Sequence, residues 1–183
     1  MLKILQYGSP VLEKVAEPVE NPKDPKVLNL IEDMLKVLEK EAEHSAGLSA
    51  PQVGQSLQIA ICRRMDLEEK LAKEYETQGL KKTIKPIWEV MINPQIIFTS
   101  EEKSTKWEGC LSINEGDLFG QVTRPKVVKV KYKSIEGEDL ELTADGYFSH
   151  VVQHEIDHLK GILFLKYIKD PTKLYTGEEI EDL

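Results

Sequence analysis

Apolar residues recur at helical spacing through Val27, Leu28, Ile31, Met34, Leu35 and Leu38. Ahead of them stands Asp24-Pro25, a capping carboxylate followed by a proline that suits a first helical turn. This predicts a helix from residue 25 to about Glu43. Residues 1–23 hold Pro10, Pro18 and Pro22 and read as mostly irregular. Residues 44–54 are rich in small side chains and read as a loop. Residues 57–62 alternate in the manner of a strand. Residues 90–98 predict another strand, and Pro94 within it implies an edge or bent one. Residues 126–132 alternate valine and lysine, and 139–143 follow across a turn at Glu136-Gly137. That is a hairpin with one wet face. Residues 63–88 are charged and read as an insertion with a helix near 66–77. Residues 147–160 form a second long helix, stopped by Gly161. Strands fill the middle and helices the ends. The expected fold is α+β: mixed or antiparallel strands packed around a C-terminal helix, with an N-terminal helix.

Composition narrows the classes of function. The chain has 183 residues, 40% hydrophobic and 31% charged. One domain spanning 1–183 is expected, with a short acidic tail at 170–183. Lys plus Arg is 24 against 32 Asp plus Glu, a formal charge of -8. An acidic chain is a poor binder of DNA, of RNA in general and of anionic membranes. It has no apolar run of about 18 residues that would span a bilayer. Its opening residues have no apolar core of signal-peptide length, so the expected compartment is the cytoplasm. Two cysteines, Cys62 and Cys110, cannot build a disulfide framework. Cys62 lies in the apolar run Ile59-Ala60-Ile61-Cys62 and reads as core.

The strongest chemical signal is His154-Glu155-Ile156-Asp157-His158. Histidines at i and i+4 share one helix face, so both imidazoles reach a single metal ion. A glutamate beside the first can move protons to and from water at that ion. Phe148, Val151, Val152 and Leu159 give the same helix an apolar side, which sets the site beside the core. A tetrahedral catalytic site needs a third protein ligand and an open position. Phe164 stands where a metzincin protease has its third histidine, and it cannot ligate. Glu178 and Glu179 lie at the distance of the downstream glutamate in thermolysin-like proteases. They sit in the acidic tail with no helix in view to hold them. Cys110 is the remaining candidate, although apart from the histidine pair it reads first as a core thiol. An HExxH metalloprotease and a non-catalytic metal-binding protein are two readings that this helix leaves open.

Three segments together resemble the peptide deformylase family. They are Ser45-Ala46-Gly47-Leu48-Ser49-Ala50-Pro51-Gln52, Glu108-Gly109-Cys110-Leu111-Ser112, and Gln153-His154-Glu155-Ile156-Asp157-His158. The family patterns are GxGLAAPQ, EGCLS and QHExDH, in that order. Smaller matches at Pro10-Val11-Leu12, Asn93-Pro94, Arg124-Pro125 and Asp145-Gly146 extend the resemblance over residues 1–168. It implies a cytoplasmic metallohydrolase that removes the formyl group from the N-formylmethionine of nascent peptides and releases formate. Cys110, His154 and His158 would then ligate one divalent ion, natively Fe(II), with Zn, Ni or Co also accepted. Glu155 would be general base and then general acid. Gln52 and the backbone N–H of Leu111 would stabilise the oxyanion. Gly47, Leu48 and Gly109 would be substrate-binding positions. Asp157 would orient a ligand or pair with Arg124, and Glu108 would anchor the Cys110 loop.

The chain departs from the family pattern in places. Ser45 replaces a glycine, Ser49 an alanine, Asn114 a proline and Glu13 an arginine. The stretch Glu115-Gly116-Asp117-Leu118 is acidic where bacterial relatives often carry a basic residue near the substrate. Any ribosome contact would be transient, because this tail cannot supply a basic docking helix.

Overall fold

The computed structural model describes residues 2–42 and 44–181. Helix α1 (Pro25–Lys40) starts where Asp24 accepts a hydrogen bond from the Lys26 backbone N–H at 2.8 Å. It ends short of the expected Glu43, which lies outside the described residues. Val27, Ile31, Met34 and Leu38 form its buried stripe. They pack with Leu48, Ile59, Ile61 and Ile92 in one core cluster.

The expected loop at 44–54 folds further than its composition suggests. It holds strand β1 (Gly47–Ser49) and a 3-10 turn, Ala50–Val53. Then come β2 (Ile59–Arg63), helix α2 (Met65–Thr77) and β3 (Trp88–Thr99). Next are β4 (Lys103–Gly109), β5 (Phe119–Pro125), β6 (Val127–Lys133) and β7 (Asp139–Asp145). Helix α3 (Gly146–Leu159), β8 (Leu174–Tyr175) and a short α4 (Gly177–Glu181) complete the order. One antiparallel sheet runs β1-β2-β3-β6-β7 and a second runs β4-β5-β8. The class is α+β, as the hydrophobic pattern implied.

The larger sheet is covered on both faces. Along β2, Ala60 and Cys62 join the cluster beneath α3, while Ile59 and Ile61 join the cluster beneath α1. The period-two alternation therefore separates two cores and leaves no wet face on β2. Cys62 is core, and burial raises its thiol pKa. The expectation of an edge for the Pro94 strand is corrected: β3 is the middle strand of five. Its register shifts between Ile92 and Gln95, so Pro94 sits at a bulge where no ladder donor is required. Asn93 there exchanges two 2.8 Å hydrogen bonds with the Val19 backbone, fastening the N-terminal segment.

Helix α3 touches strands of both sheets and is buried almost all round. Only Gly146, Tyr147 and His154 escape full burial. That position between layers puts its polar residues where each needs a protein partner or an ion. Among the described residues, no helix is long and apolar enough to cross a membrane.

Candidate metal centre

One turn apart on α3, His154 and His158 bring their rings to 4.9 Å between centroids. Cys110 follows the end of β4 and enters from the second sheet. Its sulfur lies 3.3 Å from His158 Nε2. Ligand atoms of Cys110, His154 and His158 all fall within 4.8 Å of one another. Two imidazoles and a thiol suit a borderline divalent ion. Among the described residues, the buried Glu155 Oε2 beside them has no hydrogen-bond partner. An orphaned carboxylate oxygen next to a converging donor set is what water attached to an ion would satisfy, so the residues fit an ion. Cys110 thus joins the histidine pair, and Glu178 and Glu179 do not. The tail expected to lack a helix forms α4, and Glu179 accepts from the Thr176 backbone N–H at 2.7 Å. Phe164 stacks on the His154 ring at 6.3 Å and supplies packing.

Beneath the cluster lies a buried polar network centred on Glu108. Arg124 donates to both its carboxylate oxygens, at 2.6 and 3.0 Å, and to Asp157 at 2.7 Å. His150 Nδ1 and His154 Nδ1 each point at Glu108, at 3.0 and 3.1 Å. A carboxylate on Nδ1 fixes the His154 ring and leaves Nε2 toward the cluster. Tyr167 donates to Asp157 at 2.8 Å. Burial works to raise the Glu108 pKa, but His150, His154 and Arg124 outweigh it and hold the carboxyl well below its usual range. Glu155 is the opposite case: burial pushes it up to about 7, against the pull of His154. Burial also drives His158 well below its ordinary value, toward the neutral imidazole that binds a metal.

A cavity of about 390 Å³ opens on this centre. Gln52, Cys110, Leu111, His154, Glu155, Gly47 and Gly109 all border it. The two glycines allow close approach. A Cβ on Gly47 would meet Glu155 Oε1 at 2.6 Å, and one on Gly109 would meet Phe119 Cε1 at 2.6 Å. Leu48, named with them as substrate-binding, does not border the cavity. Its side chain is fully buried in the α1 core, so only its backbone could meet a substrate. Asp157 pairs with Arg124, and Glu108, two residues before Cys110, accepts from His154. Asn114 has φ 48°, which a proline ring forbids, so this departure gives the loop after Ser112 its own path.

The sequence reading missed His150 and Tyr167. A signal existed for His150, which precedes His154 by one helical turn. Its Nε2 meets Ser104 Oγ at 2.9 Å, so it supports the site as a spacer and is not a ligand. The tail was missed too: Gly177 and Ile180 reach the cavity wall, and the Gly177 N–H donates to Asp117 at 2.8 Å.

A family profile described as polypeptide deformylase matches residues 1–174. A peptide deformylase of Pseudothermotoga lettingae is 40% identical over 166 residues, covering 91% of this chain and 82% of the relative. An actinonin-bound class I type b peptide deformylase from Acinetobacter baumannii is similar in structure. Its TM-score is 0.74 at 31% identity, with 92% of this chain and 99% of the other covered. Peptide deformylase from Thermotoga maritima gives 0.73 at 33%, with 93% and 99% covered.

Proposed function

This chain belongs to the peptide deformylase family, and from that premise we propose how its residues remove the N-terminal formyl group of N-formylmethionyl nascent peptides. The observation that carries the reading is the convergence of Cys110, His154 and His158 beside a cavity that Cys110, His154, Glu155 and Gln52 border. Cys110, His154 and His158 would hold one divalent ion, natively Fe(II) by the family resemblance, with Zn, Ni or Co accepted. When bound, such an ion supplies Lewis-acid activation of water and of the formyl carbonyl.

Glu155 takes a proton from the attacking water and returns it to the leaving amine. A carboxyl raised to about 7 suits both transfers near neutral pH. Gln52 donates through Nε2, and Leu111 through its backbone N–H, to the charge that grows on the formyl oxygen. A neutral amide does this without adding a charge of its own. Gly47 keeps room beside the Glu155 carboxylate, and Gly109 with the Leu48 backbone lines the peptide's path. Residues 63–88 are an insertion outside this machinery, since none of them borders the cavity. The compartment this reading implies is the cytoplasm, with at most a transient ribosome contact.

The test is formate release from formyl-Met peptides under anaerobic, Fe(II)-loaded conditions, since Fe(II) and thiolate both oxidise. Formate release that a chelator abolishes supports the reading. Cleavage of internal peptide bonds without formate would overturn it.

A further inference from the structure

We infer that Ser49 is a positioning residue that fixes which end of the Gln52 amide faces the cavity, an inference that rests on the deformylase reading. Alternation along β1 sends Leu48 into the α1 core and turns Gly47 and Ser49 toward α3. Ser49 is fully buried, and Gln52 is 2% exposed. The Ser49 backbone N–H and hydroxyl both donate to Gln52 Oε1, at 2.9 and 3.0 Å. The pair closes a capping box at the start of the 3-10 turn. With Oε1 held, Nε2 points the other way, donating toward Cys110 Sγ at 3.6 Å and Ser112 Oγ at 3.3 Å.

The two ends of a primary amide have nearly the same shape, and only hydrogen bonding tells them apart. In the inverted amide, NH₂ would face the Ser49 N–H, donor against donor. Oε1 would then face the Cys110 sulfur and the developing oxyanion, which repel it, while the Ser112 hydroxyl can turn to suit either end. A backbone N–H cannot accept, so it already favours the working orientation. The Ser49 hydroxyl accepts the Gln52 backbone N–H in the capping box, and its own proton goes to Oε1, a second donor that the alanine of the GLAAPQ pattern cannot provide. Ser49 touches no reacting atom, and its effect passes through Gln52.

Three variants test this: Ser49→Ala, Gln52→Ala and the double variant. Ser49→Ala should lower kcat for formate release about 3–10-fold, with KM within about twofold. In the Gln52→Ala background the same change should cost less than about twofold, because its route is gone. A second readout needs no turnover: the side-chain amide protons of Gln52 in ¹⁵N-resolved NMR. In the unaltered chain their NOEs should run to the Cys110 and Ser112 side chains and not to the Ser49 N–H. In Ser49→Ala a share should run to the backbone N–H at position 49, from the inverted amide. Equal losses of kcat in both backgrounds would overturn the inference, as would an unchanged kcat or NOEs to the Ser49 N–H in the unaltered chain. If the unaltered chain releases no formate, the deformylase reading fails, while the amide resonances still decide the orientation.

Discussion

Glu108 and Glu155 are both buried carboxyls beside one cluster of ligands, 7% and 4% exposed, yet their surroundings make them opposite groups. The floor of the site, around Glu108, is saturated with donors: Arg124 twice, His150 and His154. The wall formed by Glu155 and Gly47 leaves one carboxylate oxygen without a partner. Burial raises both pKa values, and only at Glu108 do the donors outweigh it. The first carboxyl is a fixed anion that orients the His154 ring. The second stays close enough to neutrality to gain and lose a proton. A group proposed to carry protons is left partly unsatisfied, whereas a group that stays an anion is surrounded by donors.

The largest expected effect comes from abolishing the mobile partner. Glu155→Gln should lower formate release about 10³–10⁴-fold while metal content, read by elemental analysis, stays at the level of the unaltered chain. Breaking the floor is next. Arg124→Ala leaves Glu108 and Asp157 as uncompensated buried charges, and urea unfolding should register a loss of about 3–5 kcal/mol. Carboxyl ¹³C titration of the metal-free protein then sharpens the contrast directly. Glu155 should titrate at about 7, and Glu108 should stay ionised to the acid edge of folding. The signs for stability differ. Glu155 lies above its ordinary 4.5, so its contribution is full below 4.5 and is lost as pH rises through about 7. Glu108 lies below its ordinary 4.5, so its contribution is present above 4.5 and is lost only as pH falls through its depressed value. The smallest effect belongs to His150→Gln, which weakens one of several bonds to Glu108. It should cost about 1–2 kcal/mol in the same urea experiment and leave kcat near that of the unaltered chain.

The two surroundings also differ in how far the sequence discloses them. Glu155 sits between its histidines at helical spacing, so local periodicity announces it. Glu108 joins partners 16 to 46 positions away on the second sheet and on α3, and no period marks such partners. Helices α1 and α3 and the β6–β7 hairpin were legible because each has a regular apolar rhythm. Strands β4 and β5 were not, since Lys103-Ser104-Thr105-Lys106 and the stretch from Gly120 to Pro125 carry no regular apolar alternation. Pro94 left an edge and a bent strand both open, because periodicity cannot reveal that a bulge absorbs the missing donor. Cys110 needed the tertiary structure as well: from the residues alone it was a core thiol as readily as a ligand.

Metal rescue separates the two glutamates most directly. Turnover of Glu108→Gln and Glu155→Gln should be followed as Fe(II) is raised anaerobically. Glu108→Gln, having lost the anion behind His154, should bind the ion about 10–100-fold more weakly and recover activity at excess metal. Glu155→Gln should be metal-replete from the start and gain nothing. Recovery of Glu155→Gln by metal, with Glu108→Gln replete but inactive, would contradict the division of labour described for the two carboxyls.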